Sequence, residues 1–111
     1  MSQLRLKAQA ELTKGEVYSI CLRGARRYPY NIYGPNSIDI EIFTTNPSRP
    51  EYTAKVVSQS QFSFVDLKDT HCRNNYDPKV TDKGTLLDAM LKVYSDFDPY
   101  EIVTLLNFEI Q

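Results

Sequence analysis

The segment that most constrains this chain lies at its end: Tyr100–Ile110, YEIVTLLNFEI, is an almost unbroken apolar run of strand-favouring residues. A strand with one wet face alternates apolar and polar side chains, whereas a continuous run needs cover on both faces. The rest of the molecule therefore has to be packed around this strand. With 111 residues and a 41 % hydrophobic share, the chain has material for one core, and we read residues 1–111 as a single domain.

Strand patterns dominate the remainder. VYSICLR (17–23) is rich in β-branched and aromatic residues, with Tyr18, Ile20 and Leu22 on one side. IDIEIFTT (38–45) alternates cleanly, and NPSRP (46–50) turns it into EYTAKVVSQ (51–59), an antiparallel hairpin. QFSFVDL (61–67) extends or follows that strand after a kink. Two segments read as helix. Residues 7–14, preceded by extended chain, combine good helix formers with Gly15 as a stop, although Leu4, Leu6, Ala8, Ala10 and Leu12 also alternate with a strand period. TLLDAMLKVYS (85–95) carries a Leu87, Met90, Leu91, Tyr94 stripe, with Thr81 or Asp82 as its N-cap. Residues 25–37 and 68–84 are long loops, the second long enough to be functional or to contain a short helical turn. The expected fold is α+β: a small, mostly antiparallel β-barrel of about five strands with two helices.

Composition excludes more than it assigns. A net charge of −1 rules out a wholly basic nucleic-acid coat and an acidic tail. Nothing in the chain has the length of a membrane span, and the N-terminal residues lack the apolar core of a secretory signal. Cys21 and Cys72 then read as reduced thiols in a cytoplasmic protein. One histidine, His71, and no close cysteine pair leave too few ligands for zinc, so neither metal nor cofactor is expected. His71 and Cys72 are neighbours, but adjacent residues seldom face each other as a catalytic dyad must.

Locating the charges changes their meaning. Residues 1–34 hold six bases, Arg5, Lys7, Lys14, Arg23, Arg26 and Arg27, against two acids, Glu11 and Glu16; acids outnumber bases in the rest. Three of those arginines accompany three tyrosines in RGARRYPYNIYG (23–34): Arg23, Arg26, Arg27, Tyr28, Tyr30 and Tyr33. Guanidinium groups fork onto phosphate, and tyrosine rings stack on unpaired bases. A loop with both suits single-stranded or looped nucleic acid. The same residues also suit a protein interface, or a structural role in which the arginines pair with the acidic remainder.

The run LTKGEVYSICLR (12–23), the kinked pair EYTAKVVSQSQFSFVDL (51–67), the late helix ending in Tyr94 and the closing strand through Phe108 resemble the ASCH-domain family. That resemblance implies a PUA-like β-barrel that binds RNA or modified nucleosides in a cleft beside the strand 17–23. Some members are amidohydrolases that remove the acetyl group from acetylated cytidine, and at least one is a ribonuclease. Gly15 matches the family glycine, Ser19 the strand hydroxyl and Arg23 the family arginine. The catalytic lysine position falls on Glu16 or Val17, and the glutamate region holds Asn74, Asn75 and Asp77, so the family's constellation is broken unless Lys14 or Asp77 stands in. A hydroxyl nucleophile needs a base beside it. The resemblance thus implies a binding module for RNA or a modified nucleoside rather than an enzyme. Ser19 would line the cleft, the three arginines would contact phosphate or base edges, and the three tyrosines would stack. Two alternatives stay open: a small protein-binding inhibitor or adaptor, such as a phage accessory protein, and a divergent amidohydrolase.

Overall fold

The computed structural model describes residues 4–25, 39–46 and 48–111. The apolar closing run forms a strand, Ile102–Ile110, hydrogen-bonded on both sides. In chain order the strands are β1 (Leu4–Lys7), β2 (Val17–Arg23), β3 (Asp39–Phe43), β4 (Tyr52–Ser63) and β5 (Ile102–Ile110). They make one sheet in the order β1-β3-β4-β5-β2. Four of the five meet antiparallel; β1 runs parallel to β3, Leu4 opposite Ile40. The sheet is mixed and curls into a half-barrel.

Both faces of β5 are covered, as its composition requires. Leu106, Phe108 and Ile110 join Ile20, Ile40, Ile42, Ala54 and Val56 in a cluster closed by Leu6 and Leu12. Val103, one residue out of phase, joins Cys21, Phe64, Leu67, Cys72, Val80, Leu86, Met90 and Phe97 in a second cluster on the other face. The second cluster is roofed by the single α-helix among the described residues, α1 (Lys83–Val93), and by two short 3₁₀ turns, Phe64–Asp66 and Asp69–Cys72. No helix among the described residues is long and apolar enough to cross a membrane.

The fold corrects several expectations. Residues 7–14 form no helix: Leu4–Lys7 is the edge strand β1, and the chain then turns back to place Leu12, 5 % exposed, over the core. Pairing with β3 and the burial of Leu6 and Leu12 outweigh a helix propensity of a few tenths of a kcal/mol per residue. Gly15 serves the turn instead: at φ +84° it adopts the left-handed conformation and donates its N–H to Ile110 O at 2.9 Å. Of the two readings of 61–67, extension holds through Ser63: β4 is one strand whose register shifts between Val56 and Ser58, and only beyond Ser63 does the chain leave it for a 3₁₀ turn. The buried stripe of α1 is Leu86 and Met90, flanked by Leu87, Ala89 and Tyr94, whereas Leu91 is 38 % exposed. The long loop 68–84 does contain a helical turn, Asp69–Cys72.

Asp82 is the N-cap of α1. Its Oδ1 accepts the Thr85 N–H at 2.8 Å, and Thr85 Oγ1 accepts the Asp82 N–H at 3.1 Å. The Thr85 N–H, joined by the Thr85 hydroxyl that donates to Oδ1 at 3.0 Å, holds the Asp82 carboxyl below its ordinary pKa. A folded-state pKa below the unfolded one gives stability that is present above about pH 4 and fades as pH falls through the lowered value. Replacing Asp82 with Ala should therefore lower the urea midpoint at pH 7, and the gap from the native chain should narrow toward pH 3. Phe108 is fully buried between the rings of Tyr18 and Tyr76, each 6.4 Å away. Phe108→Ala should cost about 3–5 kcal/mol in the same denaturation experiment.

Candidate functional site

Among the described residues β2 is an edge strand: β5 pairs with one side of it, and the other is engaged only in part. At Ser19 the chain segment after the Asp69–Cys72 turn comes alongside in parallel, as Ser19 N–H reaches Asn74 O at 2.8 Å and Tyr76 N–H reaches Ser19 O at 2.9 Å. Backbone groups alternate in direction along an antiparallel strand, so the N–H and C=O of Cys21 point the same outward way as those of Ser19.

A cleft of about 600 Å³ opens along this edge, between β2, residues 75–80 and α1. That volume lies in the range of small-molecule sites. Cys21, Val80, Leu86 and Met90 give it an apolar floor, while Tyr76 and Tyr94 contribute rings. Lys79 and Lys92 stand at its walls with Asp77 and Asp88, so its formal charge is balanced. One wall is stiffened by two successive side-chain turns: Asn75 Oδ1 accepts the Asp77 N–H at 2.9 Å, and Asp77 Oδ1 accepts the Lys79 N–H at 3.0 Å. Burial raises the Tyr76 phenol above its ordinary pKa, with Asp77 adding to the effect, so the ring is neutral at physiological pH.

Ser19 does not line this cleft. It is completely buried, and its hydroxyl has no hydrogen-bond partner among the described residues. Across the ladder it faces Asn107, whose Nδ2 donates to Ser58 Oγ at 3.0 Å and whose Oδ1 accepts from Asn74 Nδ2 at 3.3 Å. This row of amides and hydroxyls joins β4, β5 and the Asn74 segment.

Arg23 ends β2 and is held by acids from the chain between α1 and β5. Its Nε and Nη2 donate to Glu101 at 2.9 and 3.1 Å, and its Nη1 donates to Asp96 at 3.1 Å. The guanidinium carbon sits 5.0 Å from the ring centre of Tyr94, a cation–π distance. These hydrogen bonds push the Arg23 pKa still higher and hold Asp96 and Glu101 below the usual carboxylate range. Arg26, Arg27, Tyr28, Tyr30 and Tyr33 lie outside the described residues. β2 ends at Arg23, which lies against Tyr94 of the cleft.

Both cysteines are buried free thiols. Burial, reinforced by the neighbouring Cys72, pushes Cys21 up to about 12; burial, then Asp69 and Asp82, raises Cys72 as well. Thiols in that state are poor nucleophiles. His71 accepts the Lys68 N–H on Nδ1 at 2.9 Å and lies with its ring 5.1 Å from Phe62, so it caps the 3₁₀ turn. Among the described residues no group of His, Cys, Asp or Glu is placed to hold a metal ion.

Sequence reasoning missed Tyr76, Met90 and Tyr94 as cleft residues. The pertinent signal was the unusual length of residues 68–84, which supply the wall that faces α1. A buried hydroxyl without a partner forfeits its hydration and gains nothing in return. Ser19→Ala should accordingly leave stability unchanged or raise it by up to about 1 kcal/mol, read from the thermal unfolding midpoint. No protein-family model, curated protein or solved structure matches this chain.

Proposed function

We propose that this chain is an RNA- or nucleotide-binding module of ASCH/PUA-like type, with the cleft beside β2 receiving a base and the basic-aromatic segment 23–34 engaging the adjoining strand. The observation that carries this reading is the position of the cleft. It runs along the open edge of the strand that leads directly into the Arg- and Tyr-rich segment. A flat heteroaromatic ring with polar edges suits a pocket that has an apolar floor, two tyrosines and outward backbone groups at Cys21. Arg26 and Arg27 then supply the phosphate contacts that a cleft of balanced charge does not.

Binding, not hydrolysis, fits the buried groups. An amidohydrolase reading requires an activated hydroxyl at Ser19, and that hydroxyl is inaccessible with no base beside it. The thiol in the cleft, Cys21, is held protonated.

The test is fluorescence anisotropy with a labelled single-stranded RNA of mixed sequence at several salt concentrations. The double variant Arg26→Ala, Arg27→Ala should bind more weakly. Its plot of log K against log salt should flatten by about 0.7 for each phosphate that the variant no longer neutralises. Affinity and slope equal to those of the native chain would overturn the proposal.

A further inference from the structure

Arg23 meets its two carboxylates on different edges of the guanidinium. The Nε/Nη2 edge faces Glu101 at 2.9 and 3.1 Å; the Nη1/Nη2 edge faces Asp96 at 3.1 and 3.4 Å. These acids are not held alike. The Glu101 side chain is 34 % exposed and also accepts the Asp98 N–H on Oε2 at 2.7 Å, which ties it to the turn that opens β5. The Asp96 side chain is 79 % exposed. The rings of Tyr94 at 5.0 Å and Phe97 at 5.8 Å lie near the guanidinium, and its outer edge, Nη1/Nη2, is the one that meets the more exposed acid.

We infer that Glu101 is a positioning residue that orients Arg23, and that Asp96 is a displaceable occupant of the edge on which an RNA phosphate docks. This inference rests on the RNA-binding reading above. The outer edge offers two parallel N–H donors, the arrangement that binds a phosphate with two hydrogen bonds. An exposed carboxylate holds such an edge weakly, because water and salt screen the pair. A phosphate can take its place while Asp96 turns into solvent. The inner pair is shorter and more shielded, and it keeps the guanidinium over Tyr94 throughout the exchange. In this arrangement Arg23 is neutralised in the free protein and still oriented for the strand that enters beside Gly24.

The experiment uses the whole chain and a fluorescein-labelled single-stranded RNA of mixed sequence at about 50 mM salt, where exposed pairs are least screened. Asp96→Asn should tighten binding about two- to fivefold. Glu101→Gln, which lets the guanidinium swing, should weaken it. In an Arg23→Ala background, Asp96→Asn should have no effect; if that background loses cooperative unfolding, Arg23→Lys replaces it, because an ammonium keeps the charge but not the fork. A purely structural clamp predicts otherwise, with both carboxylate variants lowering the unfolding midpoint and leaving RNA affinity alone. That outcome, or equal tightening by Asp96→Asn with and without Arg23, overturns the inference. Native binding with an unresponsive Asp96→Asn refutes the roles of Asp96 and Glu101 alone, whereas absence of native binding refutes the RNA reading and these roles together.

Discussion

The burial of β5 on both faces is the constraint from which the architecture follows. Leu106, Phe108 and Ile110 point to one cluster and Val103 to the other, so neither side of the sheet can be left to water. Backbone groups on both edges of such a strand also need partners, since an unpaired buried amide costs about as much as a lost hydrogen bond. β4 and β2 provide them, over most of the length of β5. The apolar faces of β3 and β4 and the side chains of Leu6 and Leu12 complete one layer; α1 and the two 3₁₀ turns complete the other.

The candidate site is a consequence of that arrangement. Because β5 takes a position between β4 and β2, β2 is left as an edge, and the roof over the second cluster does not reach along its whole length. Asn74–Tyr76 covers the edge at Ser19, while beyond it the strand, residues 75–80 and α1 enclose the cleft. The same chain reversal that carries α1 into β5 brings Asp96 and Glu101 against Arg23. Fold and site therefore share elements: the guanidinium that ends β2 also anchors the turn that starts β5.

Most strands were legible from their side-chain patterns. Ile40 and Ile42 alternate with Asp39 and Glu41, and the hairpin to Tyr52 follows from the turn at 46–50. The N-cap of α1 was legible as well, because Asp82 stands just ahead of the apolar spacing. The place of β1 in the sheet was not: the spacing of Leu4 and Leu6 marks extended chain, but its parallel partner β3 lies more than thirty residues away. Local propensity contains no information about a pairing of that range. The site was less legible than the fold. Tyr94 reads equally as a core residue or a cleft residue, and its helical spacing is the same in both cases. Arg23 reads as a phosphate contact until Asp96 and Glu101, more than seventy positions away, are brought beside it.

Thus the sequence by itself determined that one strand had to be buried on both faces, where the main hairpin and helix lie, and that arginine and tyrosine concentrate beyond Arg23. Those properties depend on residue type and short-range period, which the chain carries locally. Only the tertiary structure decided that Ser19 lies inside and not in a cleft, that Cys21, Tyr76 and Tyr94 share one, and that Arg23 is claimed by two carboxylates. Each of these depends on which distant segments meet, and that is settled by the packing of the sheet as a whole.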